Sequence, residues 1–115
     1  MPDSNLELIR RWNQSNTDPD TVREVVAPDF VAHMADGDVH GAEGWIEFTA
    51  RIGADLRDVK AGSDEVIESG ELIGERWWIH ATREDGTPVR WRGITMHRVA
   101  DGRLQEDWVT IQDEQ

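Results

Sequence analysis

Regularly spaced turn signals in the second half of the chain restrict its fold more than any other feature. Each turn joins stretches in which apolar and polar side chains alternate, a pattern typical of antiparallel hairpins. The turns are Ser69-Gly70, Asp85-Gly86 and Asp101-Gly102. The predicted strands cover residues 66–69, 72–82, 88–99 and 104–111. The second half is therefore expected to form a meander of antiparallel strands.

The first half carries apolar residues at helical spacing instead. One helix is predicted over about residues 4–14, a second short helix ends before Pro28, and a third covers residues 44–52. Their inward-facing residues are Leu6, Ile9 and Trp12; Val22, Val25 and Val26; and Trp45, Phe48 and Ile52. Helices first and hairpins last predict a single α+β domain over residues 1–115, with the helices on one face of the sheet.

Composition excludes several classes of function. The 115 residues carry 12 Lys and Arg against 24 Asp and Glu, a net charge of −12, which repels nucleic acids and anionic membranes. The chain has no cysteine, so disulfides and thiolate chemistry are excluded. No apolar run is long enough for a membrane span, and Met1-Pro2-Asp3-Ser4 lacks the features of a secretory leader. The expected compartment is the cytoplasm.

The turn at Asp101-Gly102 predicts which side chains of the last two strands share a face. A three-residue loop with a left-handed Gly102 pairs Val99 with Arg103 and sets Thr95 opposite Asp107. A two-residue turn would shift this pairing by one. In the three-residue register, the opposite face carries Ile94, Met96, Arg98, Leu104, Glu106 and Trp108.

His97 and Asp107 lie diagonally on the first of these faces. An imidazole that titrates near neutrality, oriented by a carboxylate, is suited to proton transfer. The alternative is a hydrated pair near the end of a hairpin. His33 opens a loop rich in Gly and Asp, where a residue at the rim of a cleft and a structural histidine are equally plausible. His33, Asp36, Asp38 and His40 follow no recognised ligand spacing, so we predict no metal site.

Six tryptophans require cover on both faces of the sheet. Trp77 and Trp78 are neighbours on one strand and point to opposite faces, and Trp91 and Trp108 also fall on opposite faces. The helices would cover one face and a second subunit the other, which predicts a homodimer through the sheet. Alternatively, some of these indoles line an internal cavity for an apolar ligand.

An ordered set of short motifs over nearly the whole chain resembles the SnoaL-like polyketide cyclase family, within the nuclear transport factor 2-like superfamily. The motifs are Asp29-Phe30-Val31-Ala32-His33, Gly41-Ala42-Glu43-Gly44, Glu68-Ser69-Gly70-Glu71, Gly93-Ile94-Thr95-Met96-His97-Arg98 and Asp101-Gly102-Arg103-Leu104-Gln105-Glu106-Asp107-Trp108. The resemblance implies a nuclear transport factor 2-like, or cystatin-like, fold. In that fold a cone-shaped curved antiparallel sheet wraps around about three N-terminal helices, encloses an apolar pocket and commonly mediates a dimer.

One difference from the family concerns its chemistry. Family cyclases carry an acid/base aspartate directly after the tryptophan of the last strand, where this chain has Val109. The role would then pass to Asp107, assisted by His97 and His33. The substrate would be a small apolar molecule, and the reaction would use neither a cofactor nor a metal. The predicted substrate-binding residues are Trp12, Phe48, Trp78, Trp91, Thr95 and Val109.

Two other functions remain open from the sequence. Val109 in place of the family acid is compatible with a non-catalytic module that binds a small apolar ligand. The fold also hosts many unrelated functions, so a protein-interaction domain is a third hypothesis. We favour an enzyme of the cyclase, isomerase or hydrolase type.

Overall fold

A computed structural model describes residues 4–113 as three helices and one six-stranded sheet. The helices are α1 Asn5–Ser15, α2 Pro19–Val25 and α3 Gly41–Gly53. The strands are β1 Val26–Met34, β2 Gly37–His40, β3 Leu56–Ser69, β4 Leu72–Arg83, β5 Pro88–Ala100 and β6 Arg103–Asp113. The predicted α+β architecture, helices first and a curved sheet after them, is confirmed.

Local capping explains where the first two helices begin. The Ser4 hydroxyl accepts a hydrogen bond from the backbone N–H of Glu7 at 3.1 Å, and the Asp18 carboxylate accepts one from Thr21 at 3.2 Å. Helix α3 begins three residues before its predicted start. It directly follows a short strand, and the positive φ of Gly41, 70°, allows the chain to turn sharply from strand to helix.

The strands lie in the order β2-β1-β6-β5-β4-β3. The predicted antiparallel meander of β3 to β6 is confirmed, but two features differ from the prediction. Strand β1 pairs in parallel with β6, and the expected loop over residues 35–41 contains strand β2. Strand β3 begins at Leu56, ten residues before the predicted strand. The prediction missed these residues because most side chains of the strand are exposed and show no apolar alternation.

The predicted register of β5 and β6 was wrong. His97 pairs directly with Asp107 and Thr95 with Val109. The hairpin has a two-residue turn in which Asp101 and Gly102 both have positive φ, 55° and 70°, as a type I′ turn requires. A bulge at Gln105 then moves the pairing by one more residue. The total shift is two, so the faces beyond the bulge are those predicted.

Because of the bulge, the side chain of Leu104 lies on the inner face of the sheet. Leu104, which was predicted on the outer face, pairs with Val99, and both side chains are fully buried. They belong to an apolar core in which the helices pack on the inner face of the sheet at one end. Its central aromatic residues are Trp12, Phe30 and Trp45, with ring centroids 5.2–6.2 Å apart. Within residues 4–113, no helix is both long and apolar enough to cross a membrane.

Candidate functional site

A cavity of about 620 Å³ lies between helices α1 and α3 and the inner face of β3 to β6. Its walls are mainly aromatic and aliphatic, and one side carries neutral polar residues from the end of α1 and the following loop. These are Asn13, Gln14, Asn16 and Thr17. A mostly apolar cavity of this size with a few converging polar groups is typical of a small-molecule site.

Strand pairing arranges the inner-face residues in cross-strand rows. The deepest row contains Ile73, His97 and Asp107, and Ile73 is fully buried. The next row contains Glu75 and Thr95. Three ionisable side chains from three adjacent strands therefore meet at the inner end of the cavity.

These three side chains, Glu75, His97 and Asp107, form a hydrogen-bonded triad. Nδ1 of His97 lies 2.6 Å from Oδ1 of Asp107, and Nε2 lies 2.6 Å from Oε1 of Glu75. The residues are 5%, 2% and 1% exposed, respectively. The second oxygen of Glu75 accepts hydrogen bonds from Asn13 and Ser63, both at 2.8 Å. The triad is thus buried and linked to both α1 and β3.

The triad holds its imidazole in the charged form. Burial disfavours the imidazolium, but the charge of Asp107 and the hydrogen bonds to both carboxylates outweigh it and raise the pKa of His97 to about 9. Each of the two N···O contacts holds one proton, and a charged imidazole supplies both. Both ring nitrogens of His97 therefore donate at neutral pH.

The two carboxylates of the triad differ. Burial tends to raise the pKa of Glu75, but the charge and hydrogen bonds of His97, Ser63 and Asn13 lower it below its usual value. Burial raises the pKa of Asp107, and His97 offsets this only in part. Among the described residues, Oδ2 of Asp107 accepts no hydrogen bond, although the residue lines the cavity. Asp107 is therefore the carboxylate with a free oxygen.

The next row outward is shaped by a glycine. The indole of Trp77 lies across Gly93, where a Cβ atom would come 2.1 Å from the ring. In this position Nε1 of Trp77 donates a hydrogen bond to Oγ1 of Thr95 at 2.8 Å. Because the hydroxyl oxygen already accepts this bond, the proton of Thr95 remains free to donate into the cavity that Thr95 lines.

The structure divides the predicted site residues into those that line the cavity and those that do not. Five of the predicted binding residues line the cavity: Trp12, Phe48, Trp78, Trp91 and Thr95. Trp78 does so above Gly62 of the edge strand β3. Val109 is the cross-strand partner of Thr95 on the inner face, but it is not among the residues that line the cavity.

His33 lies away from the cavity, on the other face of the sheet. Its ring nitrogens contact Asp38 at 3.0 Å and Glu106 at 2.5 Å, and the ring stacks on Trp108. Hydrogen bonds to Glu106 and Asp38 raise the pKa of His33. The structure brings His97 and Asp107 together, but it does not bring His33 to them.

Sequence reasoning missed Glu75. A signal was present, since Ile73, Glu75, Trp77 and Ile79 alternate on one face of β4 and a single carboxylate stands within an apolar row. Asn13 and Ser63, which hold Glu75, carry no such signal. They meet it only through the packing of α1 and the irregular pairing of β3.

Comparison with known proteins shows the family. The model of the SnoaL-like domain matches residues 6–106. A loop-truncation variant of the protein IdmH is 27% identical, with a TM-score of 0.82, and the match covers 95% of this chain and 93% of that one. A comparison with curated proteins finds no match.

Two further solved structures share the fold. Wild-type IdmH from Streptomyces antibioticus, described as a candidate polyketide cyclase, is 24% identical, with a TM-score of 0.83 and coverage of 96% and 93% of the two chains. A candidate SnoaL-like polyketide cyclase from Jannaschia sp. CCS1 is 19% identical, with a TM-score of 0.85 and coverage of 94% and 85%. The chain belongs to the SnoaL-like domain family.

Proposed function

We propose that the protein is a cofactor-independent enzyme that transfers protons on a small, mainly apolar carbonyl compound bound in the cavity. The observation that carries this proposal is the free carboxylate oxygen of Asp107 at the inner end of an apolar cavity. A buried carboxylate whose pKa is raised is a stronger base than one in water. The descriptions of IdmH and of the Jannaschia protein as candidate cyclases support a small-molecule substrate.

In this proposal each side chain of the triad has its own role. Oδ2 of Asp107 accepts a proton from a carbon next to the substrate carbonyl and later returns it to the substrate. The Nδ1–H of His97 holds Oδ1 and leaves Oδ2 to react, while Glu75 keeps His97 charged and oriented. The hydroxyl of Thr95 lies one row away and donates to the substrate oxygen as negative charge develops on it. The proposal assigns no role to His33.

A proton-exchange experiment tests this role of Asp107. The probe is 2-tetralone in D₂O, and NMR follows deuterium exchange at its acidic C–H positions. We expect the wild-type protein to accelerate exchange and Asp107→Asn to lose about a hundredfold or more of that acceleration, since an amide cannot act as the base. The matched control is Asp101→Asn, the same change at an exposed turn residue, which should retain the wild-type rate.

Equal rates for wild type and Asp107→Asn would exclude Asp107 as the base. If 2-tetralone quenches tryptophan fluorescence saturably but its exchange is not accelerated, the binding-module hypothesis gains support. Val109 at the position of the family acid is the observation that favours this second candidate.

We also propose that two copies associate through the outer face of the sheet. Ile94, Met96 and Trp108 are exposed by 59%, 41% and 41% on adjacent strands, and Met96 pairs directly with Trp108. Apolar side chains that adjoin on an open sheet typically mark an interface.

Introducing a charge at the centre of this patch tests the dimer. We expect sedimentation or light scattering to give a dimer for the wild type and a monomer for Met96→Glu, because a buried unpaired carboxylate opposes association. Ala50→Glu adds the same charge on the exposed side of α3 and should remain a dimer. A wild-type monomer at micromolar concentration would contradict the proposal.

A further inference from the structure

We propose that the cavity selects a cationic ligand, an otherwise apolar molecule that carries a substituted ammonium group next to Asp107. The inference rests on the proposed function only in taking the cavity as the ligand site. It adds the charge of the ligand, which the proton-transfer chemistry leaves open.

The charge balance of the cavity favours a cation. The ionisable side chains among its lining residues are Glu75, Asp107 and His97, and the described lining includes neither lysine nor arginine. With both carboxylates ionised and His97 protonated, the three side chains carry a formal net charge of −1. Most of this cavity is apolar, so water screens the excess charge poorly. A ligand cation would compensate it, whereas an anionic ligand would be repelled.

Within the triad, the carboxylate oxygen without a partner among the described residues belongs to Asp107. His97 and Glu75 satisfy each other, and the second Glu75 oxygen is held by Asn13 and Ser63. Oδ2 of Asp107 has no such partner among the described residues, although the side chain is 1% exposed. The excess negative charge is therefore concentrated at a single oxygen that a ligand can reach.

Indole surface lines the same cavity as this oxygen. Tryptophan offers the strongest π face for a cation, and Trp12, Trp45, Trp77 and Trp91 all line the cavity. One face of the Trp77 ring packs on the backbone of Gly93, so its opposite face is turned toward the interior. An ammonium group has low hydration when its substituents are alkyl groups, and such groups suit apolar indole walls. A carboxylate and indole faces within one cavity are the chemistry that recognises a substituted ammonium ion.

A pair of probes that differ in charge alone tests the inference. Phenyltrimethylammonium and tert-butylbenzene have the same shape, and quenching of tryptophan fluorescence measures their binding at constant ionic strength. We expect the cation to bind the wild-type protein about tenfold more tightly than the neutral hydrocarbon. Asp107→Asn should remove this preference while leaving the affinity for tert-butylbenzene within about threefold. The control Glu47→Gln removes one charge from the exposed side of α3 and should retain the preference.

The outcomes separate this inference from the proposed function. If tert-butylbenzene binds as tightly as the cation, charge selection is wrong but the cavity remains a ligand site. If neither probe quenches saturably and 2-tetralone exchange is also unaffected by the protein, both proposals fail. The wild-type comparison does not depend on the folding of any variant. If Asp107→Asn retains the full preference for the cation, Asp107 is not the recognising group and the inference is overturned.

Discussion

Replacing His97 with glutamine is expected to lower the free energy of unfolding at pH 7 by about 3–5 kcal/mol, because it leaves two buried carboxylates without their cation. Glu75 and Asp107 are 5% and 1% exposed, so water solvates neither carboxylate well. Glutamine can donate to one of them at most, and it carries no charge. The loss should shrink as the pH falls, because protonation of one buried carboxyl relieves the repulsion.

In the wild-type protein, the same interaction should appear as a loss of stability at alkaline pH. The pKa of His97 is about 9 in the folded protein against 6.5 for the free side chain, so folding favours the protonated form. The stabilisation is complete below pH 6.5 and is lost as the pH rises through 9, a change of about 3 kcal/mol. The raised pKa of Asp107 and the lowered pKa of Glu75 act in opposite directions at acidic pH, which makes the alkaline range the clearer test.

Urea unfolding between pH 5 and 9.5 measures both effects. The matched control is His33→Gln. This change removes the imidazole that contacts Asp38 and Glu106, at a site more exposed than the triad. This change should cost much less than His97→Gln, since water screens the carboxylates that remain. If His97→Gln unfolds within 1 kcal/mol of the wild type at every pH, the triad does not hold a charged imidazole.

Much of the fold follows from local signals in the sequence. The three hairpin turns and the apolar spacing of the helices both act over a few residues. What the sequence did not reveal depends on distant partners. Strand β1 is paired in parallel with β6, some 75 residues away, and edge strand β3 has no apolar face to mark it.

The candidate site shows the same division. His97 and Asp107 belong to one hairpin, so their common face could be predicted even with a register that was wrong by two residues. Period-two alternation survives an even shift. Glu75 comes from the neighbouring strand, and its helix partner Asn13 is 62 residues away. His33 has a polar neighbourhood in sequence, but the parallel pairing of β1 directs it to the outer face with Trp108.

Gly93→Ala should destabilise the protein by about 3 kcal/mol or more, a severe effect for the addition of one methyl group. The new Cβ would lie 2.1–2.6 Å from three atoms of the Trp77 ring, closer than any tolerated contact. Gly93 is within the central strand β5, so its backbone cannot move without disturbing pairs on both sides. The indole must therefore leave its place, which also breaks its hydrogen bond to Thr95.

Gly74→Ala is the matched control, because its Cβ would meet nothing within 4 Å on the neighbouring strand β4. Replacing this glycine should leave stability unchanged or increase it slightly, since alanine has fewer unfolded conformations. A double-mutant cycle with Trp77→Leu isolates the clash. Gly93→Ala should cost much less when the smaller side chain occupies position 77, because the methyl group then fills space that the indole has vacated. An equal cost in both backgrounds would mean that the backbone of β5, rather than the ring of Trp77, requires glycine at this position.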